Sequence, residues 1–298
     1  MKNKTRAIIY SLICVGLWAL IPVVSKLGQA NLDNHQFLFW SSLVSFIAFF
    51  AATVITGQFK IFLSYKIDDW IKMVFLGLLG TYLYNILLYF GYANAQGLEV
   101  LVLQYTWPIF IMIFSILILK EKLTIKRALT AVFGFSGVVL ILTKGNFTQI
   151  HLDNYFADMI VLIAAIIFGL FSVLSKKVHF EPYTMITVYF LTSTIASFVS
   201  MIWLSDFSLP TTNAFIPILV NGLFVIGFSY IFWIKALKYA EASFVAPFIF
   251  LTPVLAALYL IIFFKEPFLP VYGLGLLAVI IGGLLNREKS TCQPFFKR

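Results

Sequence analysis

Ten apolar stretches alternate with short polar connections along the whole chain. A helix needs about 20 mostly apolar residues to cross the hydrocarbon core of a bilayer, and each stretch is close to that length. The connections are too short to form a separate soluble domain. The pattern therefore predicts an all-α integral membrane protein with ten transmembrane helices, which we number spans 1 to 10. Their predicted bounds are 7–26, 36–56, 70–92, 97–119, 125–143, 156–175, 183–204, 215–238, 243–264 and 269–286.

The sequence of span 4 recurs in span 9. Pro108 and Pro253 are 145 residues apart, and the Lys-Glu pairs at 120–121 and 265–266 have the same spacing. Five spans separate the starts of the two copies, and an odd number reverses the second copy across the membrane. Inverted repeats are typical of transporters that hold their substrate near the bilayer midplane. We therefore expect two inverted five-helix repeats around a central cavity, followed by a cytoplasmic tail. Their predicted bounds are 1–145, 146–290 and 291–298.

Span 1 follows three basic residues, as the apolar core of a secretory signal peptide would. The possible cleavage site at 28–30 is weak. Moreover, Trp18 and the Ser-Lys pair at 25–26 are matched by Phe168 and the Ser-Lys pair at 175–176, 150 residues later. Because a segment inside a repeat belongs to the fold, we expect span 1 to be retained.

The basic residues predict the orientation of the chain. If the N-terminus is cytoplasmic, eighteen of the 21 Lys and Arg residues fall on the cytoplasmic side, and only Lys26, Lys144 and Lys265 fall outside. Cytoplasmic loops of membrane proteins carry such an excess of Lys and Arg. We therefore expect both termini to be cytoplasmic.

Composition agrees with a lipid environment, since 61% of the residues are hydrophobic and 11% are charged. Soluble domains have roughly 45–50% apolar and about 25% charged residues. The net charge of +9 does not indicate nucleic acid, because the basic residues lie between the apolar runs. Cys14 and Cys292 suggest no disulfide, and three scattered histidines form no metal-ligand pattern. We expect no cofactor.

Prolines near the middle of spans 4 and 9 mark candidate helix breaks. A proline removes one backbone hydrogen bond and frees the carbonyl four residues earlier, here those of Gln104 and Ile249. Lipid cannot satisfy a freed carbonyl, so it must face protein or a wet cavity. A tolerated kink is the alternative, but matching placement in both repeats favours a substrate site. The predicted helix breaks are at Pro22, Pro108 and Pro253.

Span 3 carries a polar stripe. Tyr82, Asn85, Tyr89 and Tyr92 are spaced 3, 4 and 3 apart, so they share one helix face. An amide buried in hydrocarbon is costly unless it is hydrogen-bonded, so this face should point inward. The alternative role for Asn85 is an interhelical hydrogen bond, and the alternative for Tyr92 and Tyr82 is a place in the aromatic belt at the membrane interface. Span 8 keeps only Tyr230 of this stripe, which predicts polar contacts biased to the first repeat.

Aromatic residues in spans 1, 4, 6 and 9 complete the predicted site, with packing as the alternative role. Trp18 falls mid-membrane and not at the interface, and Phe168 is its repeat partner. The predicted substrate-binding residues are Trp18, Tyr82, Asn85, Tyr89, Gln104, Tyr105, Trp107, Phe168, Ser172, Tyr230 and Phe250. No acidic residue falls at the midplane of a predicted span, which argues against coupling through a buried carboxylate and against a strongly cationic substrate.

These features resemble the drug/metabolite transporter superfamily, in particular its ten-helix EamA-type members. The resemblance depends on Trp18, the two Lys-Glu pairs, and glycine pairs at 134/137 and 282/283. Within the superfamily, Tyr105-Thr106-Trp107-Pro108 is similar to the Tyr-x-Trp-Pro motif of bacterial aromatic amino-acid exporters. The resemblance implies a cavity lined by spans 1, 3, 4, 6, 8 and 9, with spans 5 and 10 at the periphery. It also implies a bacterial inner (plasma) membrane.

The function expected from these observations is transport of small neutral or zwitterionic metabolites, foremost the export of amino acids, by alternating access. The alternatives are carriers of nucleotide-linked or sugar-linked compounds or drugs, and flippases for lipid-linked substrates. A phosphorylated substrate would need a base in the cavity, and only Lys26 and Lys235 are deep enough in their spans to serve. A membrane enzyme is disfavoured, because Asp68 and Asp69 fit the first turn of span 3 better than a catalytic pair. The expected partners are the substrate and the bilayer, without nucleic acid; the sequence leaves the oligomeric state open.

Overall fold

The structure, a computed structural model, describes residues 2–28, 32–95, 97–149, 154–265 and 269–285. This part of the chain is helical and contains no strand. Nine of the ten predicted spans coincide with helical segments that are long and apolar enough to cross a membrane. They are Asn3–Val24, Asn34–Ile55, Ile67–Tyr92, Glu99–Leu119, Ile125–Leu142, Tyr155–Lys177, Pro182–Leu204, Thr212–Tyr239 and Ala242–Phe264. The helix Pro270–Leu285, shorter than these nine, lies where span 10 is predicted.

Several spans begin at polar residues that cap the first turn. Asp33 precedes span 2 and accepts the backbone N–H groups of His35 and Gln36, while the Gln36 side chain accepts the N–H of Asp33. Thr124 and Asn154 cap spans 5 and 6 in a similar way. Such caps satisfy donors that the helix itself leaves open, so each span has a defined start at its polar flank.

Spans 1, 4 and 9 are not continuous α-helices. Span 1 consists of the helices Lys2–Trp18 and Ile21–Gly28, and span 4 of Gly97–Gln104 and Trp107–Leu119. Span 9 passes from the short helix Ala242–Val245 through the 3₁₀ helix Ala246–Leu251 into the α-helix Thr252–Phe264.

The prolines that sequence analysis singles out lie at these breaks. Pro22, Pro108 and Pro253 are each the second residue of the helix that follows the break. Proline is tolerated in a first helical turn, because the N–H that it lacks would have no intrahelical partner there. Sequence analysis expects these prolines to remove a hydrogen bond in the middle of a helix. Each instead lies in the first turn of a new helix.

Spans 3 and 8 each contain a π-helical turn at matching places in the two predicted repeats. The π turns are Leu78–Leu83 and Asn221–Phe228, flanked by the α-helices Ile67–Gly77, Tyr84–Asn94, Thr212–Val220 and Ser229–Tyr239. The Tyr230 hydroxyl donates to the carbonyl of Gly80 at 3.0 Å, so the two π-containing spans are joined to each other. π turns interrupt the helical phase and are frequent at functional sites.

Two pairs of spans pack closely against each other. Span 5 packs on span 10 through small residues: a Cβ added to Gly137 would lie 2.7 Å from the carbonyl oxygen of Gly275, and Thr130 Oγ1 donates to Gly282 O at 2.8 Å. Span 2 packs on span 7 with a hydroxyl pair, Ser42 with Ser193 at 3.0 Å. Small residues and interhelical hydrogen bonds hold membrane helices together, because the hydrophobic effect does not drive helices to associate within lipid.

Candidate functional site

A cavity of about 60 Å³ lies where the interrupted spans meet. It is lined by residues of spans 1, 3, 4, 6, 8 and 9, the six spans that the resemblance implies. At roughly 10–15 Å³ for each water, the cavity has room for about four waters, well short of the 300–1,000 Å³ of a ligand pocket. A substrate must therefore widen it. The lining residues are Trp18, Ile21, Tyr84, Asn85, Gln104, Tyr105, Trp107, Phe168, Ile226, Tyr230, Ile249 and Thr252.

An aromatic cluster forms one wall of this cavity. The Trp18 ring lies 5.7 Å from Trp107, 6.1 Å from Phe168 and 6.2 Å from Tyr230, in each case edge to face. Trp233 packs behind, 5.5 Å from both Trp18 and Trp107, and its indole N–H donates to Ser172 Oγ at 3.1 Å. Edge-to-face pairs at these distances are the favoured aromatic geometry, so the cluster is a rigid apolar surface.

The polar part of the lining comes mainly from spans 3 and 4. Gln104 Nε2 donates to the Tyr84 hydroxyl at 2.8 Å, and the Tyr92 hydroxyl donates to Gln104 Oε1 at 3.2 Å. Asn85 Nδ2 donates to the carbonyl of Thr81 at 2.8 Å. These contacts hold the amides of Asn85 and Gln104 in place beside the hydroxyl of Tyr105.

Span 9 adds one polar group from the second repeat. Thr252 is 3% exposed, lines the cavity, and its Oγ1 has no hydrogen-bond partner among the described residues. Buried hydroxyls are nearly always paired, so this unpaired one, beside a cavity that a substrate must widen, is a candidate partner for the substrate.

Two predicted residues of spans 3 and 9 do not line the cavity. Tyr82 lies in the π turn of span 3, and the wider turn rotates it away so that Tyr84 faces the cavity instead. Phe250 is fully buried against Gly134, where an added Cβ would lie 2.2 Å from the Phe250 ring. The 3₁₀ helix has three residues per turn, which puts Ile249 and Thr252 on the cavity face and Phe250 on the face toward span 5.

The structure places the remaining predicted residues as follows. Ser172 is buried behind the lining and holds Trp233 in place. The side chain of Tyr89 lies outside the described residues. The cavity contains Trp18, Asn85, Gln104, Tyr105, Trp107, Phe168 and Tyr230 from the predicted set.

Sequence reasoning did not single out Tyr84, Ile21 or Ile226 as lining residues. Tyr84 stands one residue from Asn85, but its place on the cavity face depends on the π turn, which has no sequence signature here. Ile21 and Ile226 are aliphatic residues in aliphatic runs, so no pattern distinguishes them. Ile249 and Thr252 match Gln104 and Trp107 of span 4 at the spacing of 145 residues, so the repeat does point to these two lining positions.

A network of charged residues ties the two predicted repeats together at one end of the bundle. We call this end the inner side, and it is the predicted cytoplasmic side. Glu121 accepts the N–H groups of Ala242 and Ser243 at 2.8 and 3.0 Å and the Ser243 hydroxyl at 2.8 Å. Lys176 Nζ lies 3.5 Å from Glu121 Oε1 and donates to the carbonyls of Leu237, at 2.7 Å, and Ala240.

Arg127 extends this network. It donates to Ser243 Oγ at 2.8 Å and forms an ion pair with Glu241. The inner network, comprising Glu121, Arg127, Lys176, Glu241 and Ser243, therefore joins the ends of spans 4, 5 and 6 to the connection between spans 8 and 9.

No charged side chain lines the cavity among the residues that the structure describes. Lys235 Nζ lies 5.3 Å from the centre of the Tyr183 ring, away from the cavity. The Lys26 side chain lies outside the described residues. The walls of the site are thus aromatic, aliphatic and uncharged polar.

Known proteins match this chain in sequence and fold. The model of the EamA-like transporter family matches it twice, over residues 5–143 and 155–287. An uncharacterized transporter of Bacillus subtilis, YetK, is 27% identical over 225 residues, 72% of this chain and 67% of that protein. An S-adenosylmethionine uptake transporter of Rickettsia prowazekii is 24% identical over 282 residues, 89% of this chain and 87% of that protein. A crystal structure that is 16% identical, with a TM-score of 0.84, covers 95% of this chain and 97% of its own and shows the shared fold.

The two family matches together cover most of the chain, and these relatives are named as transporters and not as enzymes. The protein is therefore a membrane transporter that belongs to the EamA-like transporter family.

Proposed function

We propose that the protein moves a small neutral or zwitterionic metabolite across a bacterial inner (plasma) membrane by alternating access, with amino acids as the leading substrate class and export as the direction. The single observation that supports this most is the cavity at the breaks of spans 1, 4 and 9, with uncharged walls. The proposal includes ten spans, two inverted halves at 1–145 and 146–290, and cytoplasmic termini. The double family match and the π turns at matching positions support the two halves.

Helix ends at the cavity favour a substrate that carries a carboxylate. The helices Ile21–Gly28 and Trp107–Leu119 both begin at the cavity, and their first residues line it. A helix N-terminus carries about half a positive charge. Broken helices of transporters bind anionic substrate groups in this way. The site can thus attract the single negative charge of an amino-acid carboxylate without a basic side chain. A phosphorylated substrate would need a base in the cavity.

The aromatic cluster supports a substrate with a flat or apolar side chain. Trp18, Trp107 and Phe168 present ring edges and faces to the cavity, and the amides of Asn85 and Gln104 are fixed on the other side. An aromatic amino acid would place its ring against the cluster and its polar end toward the amides and helix ends. The similarity of Tyr105-Thr106-Trp107-Pro108 to the exporter motif points to the same class.

The relatives support a second candidate substrate. Proteins of two Rickettsia species that match this chain at 24% and 25% identity are named S-adenosylmethionine uptake transporters. S-adenosylmethionine also combines an amino-acid end with a flat ring, but it adds a sulfonium cation, which in this cavity would lie against the aromatic faces of the cluster because no carboxylate lines it. Uptake would then replace export as the direction.

The test is flux into proteoliposomes made with the purified protein. We expect saturable counterflow of one or more labelled amino acids, reduced at least tenfold by Trp107→Ala and Asn85→Ala. Trp203→Ala is the matched control, because Trp203 is 82% exposed on the outer surface of span 7. Counterflow of S-adenosylmethionine alone would favour the second candidate. Flux equal to that of empty liposomes for amino acids, S-adenosylmethionine and a broad metabolite panel would refute both.

A further inference from the structure

A second hollow lies on the lipid-facing surface of the protein and shares no lining residue with the central cavity. It is a groove of about 300 Å³ between spans 4 and 5. Nine of its ten lining residues are apolar, and the tenth is a serine. The lining residues are Ile109, Met112, Ile113, Ile116, Leu123, Ala128, Ala131, Val132, Phe135 and Ser136.

The groove runs along the helix axis toward the inner side. Its residues on span 4, from Ile109 to Ile116, follow the 3–4 spacing of one helix face, and seven residues rise about 10.5 Å. Its rim faces the bilayer, since Ile113 is 41% and Val132 61% exposed. Water needs two to four polar partners to stay in such a space, and the lining offers almost none. The groove is therefore a place for hydrocarbon.

Lysines lie at the inner end of the groove. Lys120 directly follows the last helical residue of span 4 as its left-handed C-cap, and Lys122 adjoins the lining residue Leu123. Lys126 stands in the first turn of span 5, and all three lysines are exposed. Their acidic neighbour, Glu121, does not neutralise them, because its side chain is 7% exposed and bonded to Lys176 and Ser243.

We propose that this groove binds one anionic phospholipid of the inner leaflet. An acyl chain fills the groove between spans 4 and 5, and the headgroup phosphate lies between Lys120 and Lys122. A zwitterionic phospholipid would fill the groove equally well but would gain little from the lysines. Basic clusters beside helix pairs at the cytoplasmic surface select anionic headgroups for this reason. The site does not depend on which substrate the central cavity takes.

The test is thermal unfolding of the purified full-length protein in detergent, titrated with lipid. Dioleoylphosphatidylglycerol should raise the Tm saturably, since a ligand that binds the native state stabilises it. Dioleoylphosphatidylcholine tests the hydrocarbon alone, and glycerol 1-phosphate tests the headgroup alone. We expect neither to reproduce the shift.

Two pairs of variants separate the groove from general charge effects. Each lysine near an anionic headgroup contributes about fivefold in affinity, so K120Q/K122Q/K126Q should weaken phosphatidylglycerol binding about a hundredfold. K60Q/K66Q/K72Q is the matched control, with the same loss of charge at exposed inner-side lysines that are not next to the residues lining the groove. Ala128→Phe, or the smaller Ala128→Leu, should block the groove, whereas Leu129→Phe on the neighbouring lipid-facing position should not.

Three results would overturn the proposal. Equal stabilisation by phosphatidylcholine would mean that the lysines do not select the headgroup. Equal weakening by the two triple lysine variants would mean diffuse surface attraction. Unchanged phosphatidylglycerol binding in both Ala128 variants would mean that no chain enters the groove.

Discussion

Replacing Glu121 by Gln should open the inner side of the transporter. The carboxylate of Glu121 accepts three hydrogen bonds from the start of span 9 and lies 3.5 Å from Lys176. Its side chain is 7% exposed and that of Lys176 18%, so solvent screens the pair little. Glutamine keeps the shape but removes the charge and presents an N–H₂ group where backbone N–H donors converge.

The free-energy cost of Glu121→Gln depends on which hydrogen bonds Lys176 and the start of span 9 keep in the variant. Removing one member of a buried ion pair costs about 3–5 kcal/mol. Lys176 keeps the carbonyls of Leu237 and Ala240, and one amide oxygen still accepts from span 9, so about 2–3 kcal/mol is expected. If only the inward-closed state makes these contacts, the ratio of inward-open to inward-closed protein rises by about 30-fold to 150-fold.

The assay is the labelling rate of a cysteine placed behind the aromatic cluster. Ser172→Cys, in a background without Cys14 and Cys292, is fully buried while the inner side is closed. In inside-out vesicles, a membrane-impermeant maleimide should label it about 30-fold to 150-fold faster when Glu121→Gln is added, because the rate follows the open population.

Glu181→Gln is the control. Glu181 also lies at the inner side, but its carboxylate caps its own helix by accepting the Thr184 N–H at 2.8 Å. Its loss should cost about 1 kcal/mol locally and leave the labelling of residue 172 unchanged. Equal labelling rates in Glu121→Gln and Glu181→Gln would show that the inner network does not hold the repeats together.

Three further predictions concern the cavity and the packing of the halves. Thr252→Val should keep or raise the Tm, because it removes a buried hydroxyl without a partner, and it should weaken substrate binding about 5-fold to 30-fold. Thr252→Ser should bind substrate as the parent protein does. A lower Tm for Thr252→Val would contradict the conclusion that this hydroxyl is unpaired. Gly137→Ala should lower stability by about 1–3 kcal/mol, because its Cβ would lie 2.7 Å from Gly275 O. The same change at Gly273, which has open space, should leave the Tm unchanged, and equal effects would argue against close packing of spans 5 and 10. Gln104→Leu should reduce substrate affinity at least tenfold, because it removes the hydrogen bonds to Tyr84 and Tyr92. The measurement is the half-saturating substrate concentration for counterflow. An unchanged concentration would exclude a role for this amide in binding.

The sequence by itself determined which stretches form helices long and apolar enough to cross a membrane, and where three of them break. Apolar length is a local property, and lipid leaves the backbone little choice but a helix, so the first nine predicted spans coincide with long apolar helices. Proline acts on its own turn, so Pro22, Pro108 and Pro253 each stand at the start of a helical segment.

Only the tertiary structure decided which faces of these helices meet. Tyr84 replaces Tyr82 in the cavity because span 3 contains a π turn, and Thr252 replaces Phe250 because span 9 contains a 3₁₀ helix. Such turns change the rotation of everything beyond them, and they form where packing against other spans favours them. The inner network likewise joins Glu121 to residues more than fifty positions away, and no local pattern encodes that distance. The rotational phase of a helix is fixed by its neighbours, whereas its length is fixed by its own residues.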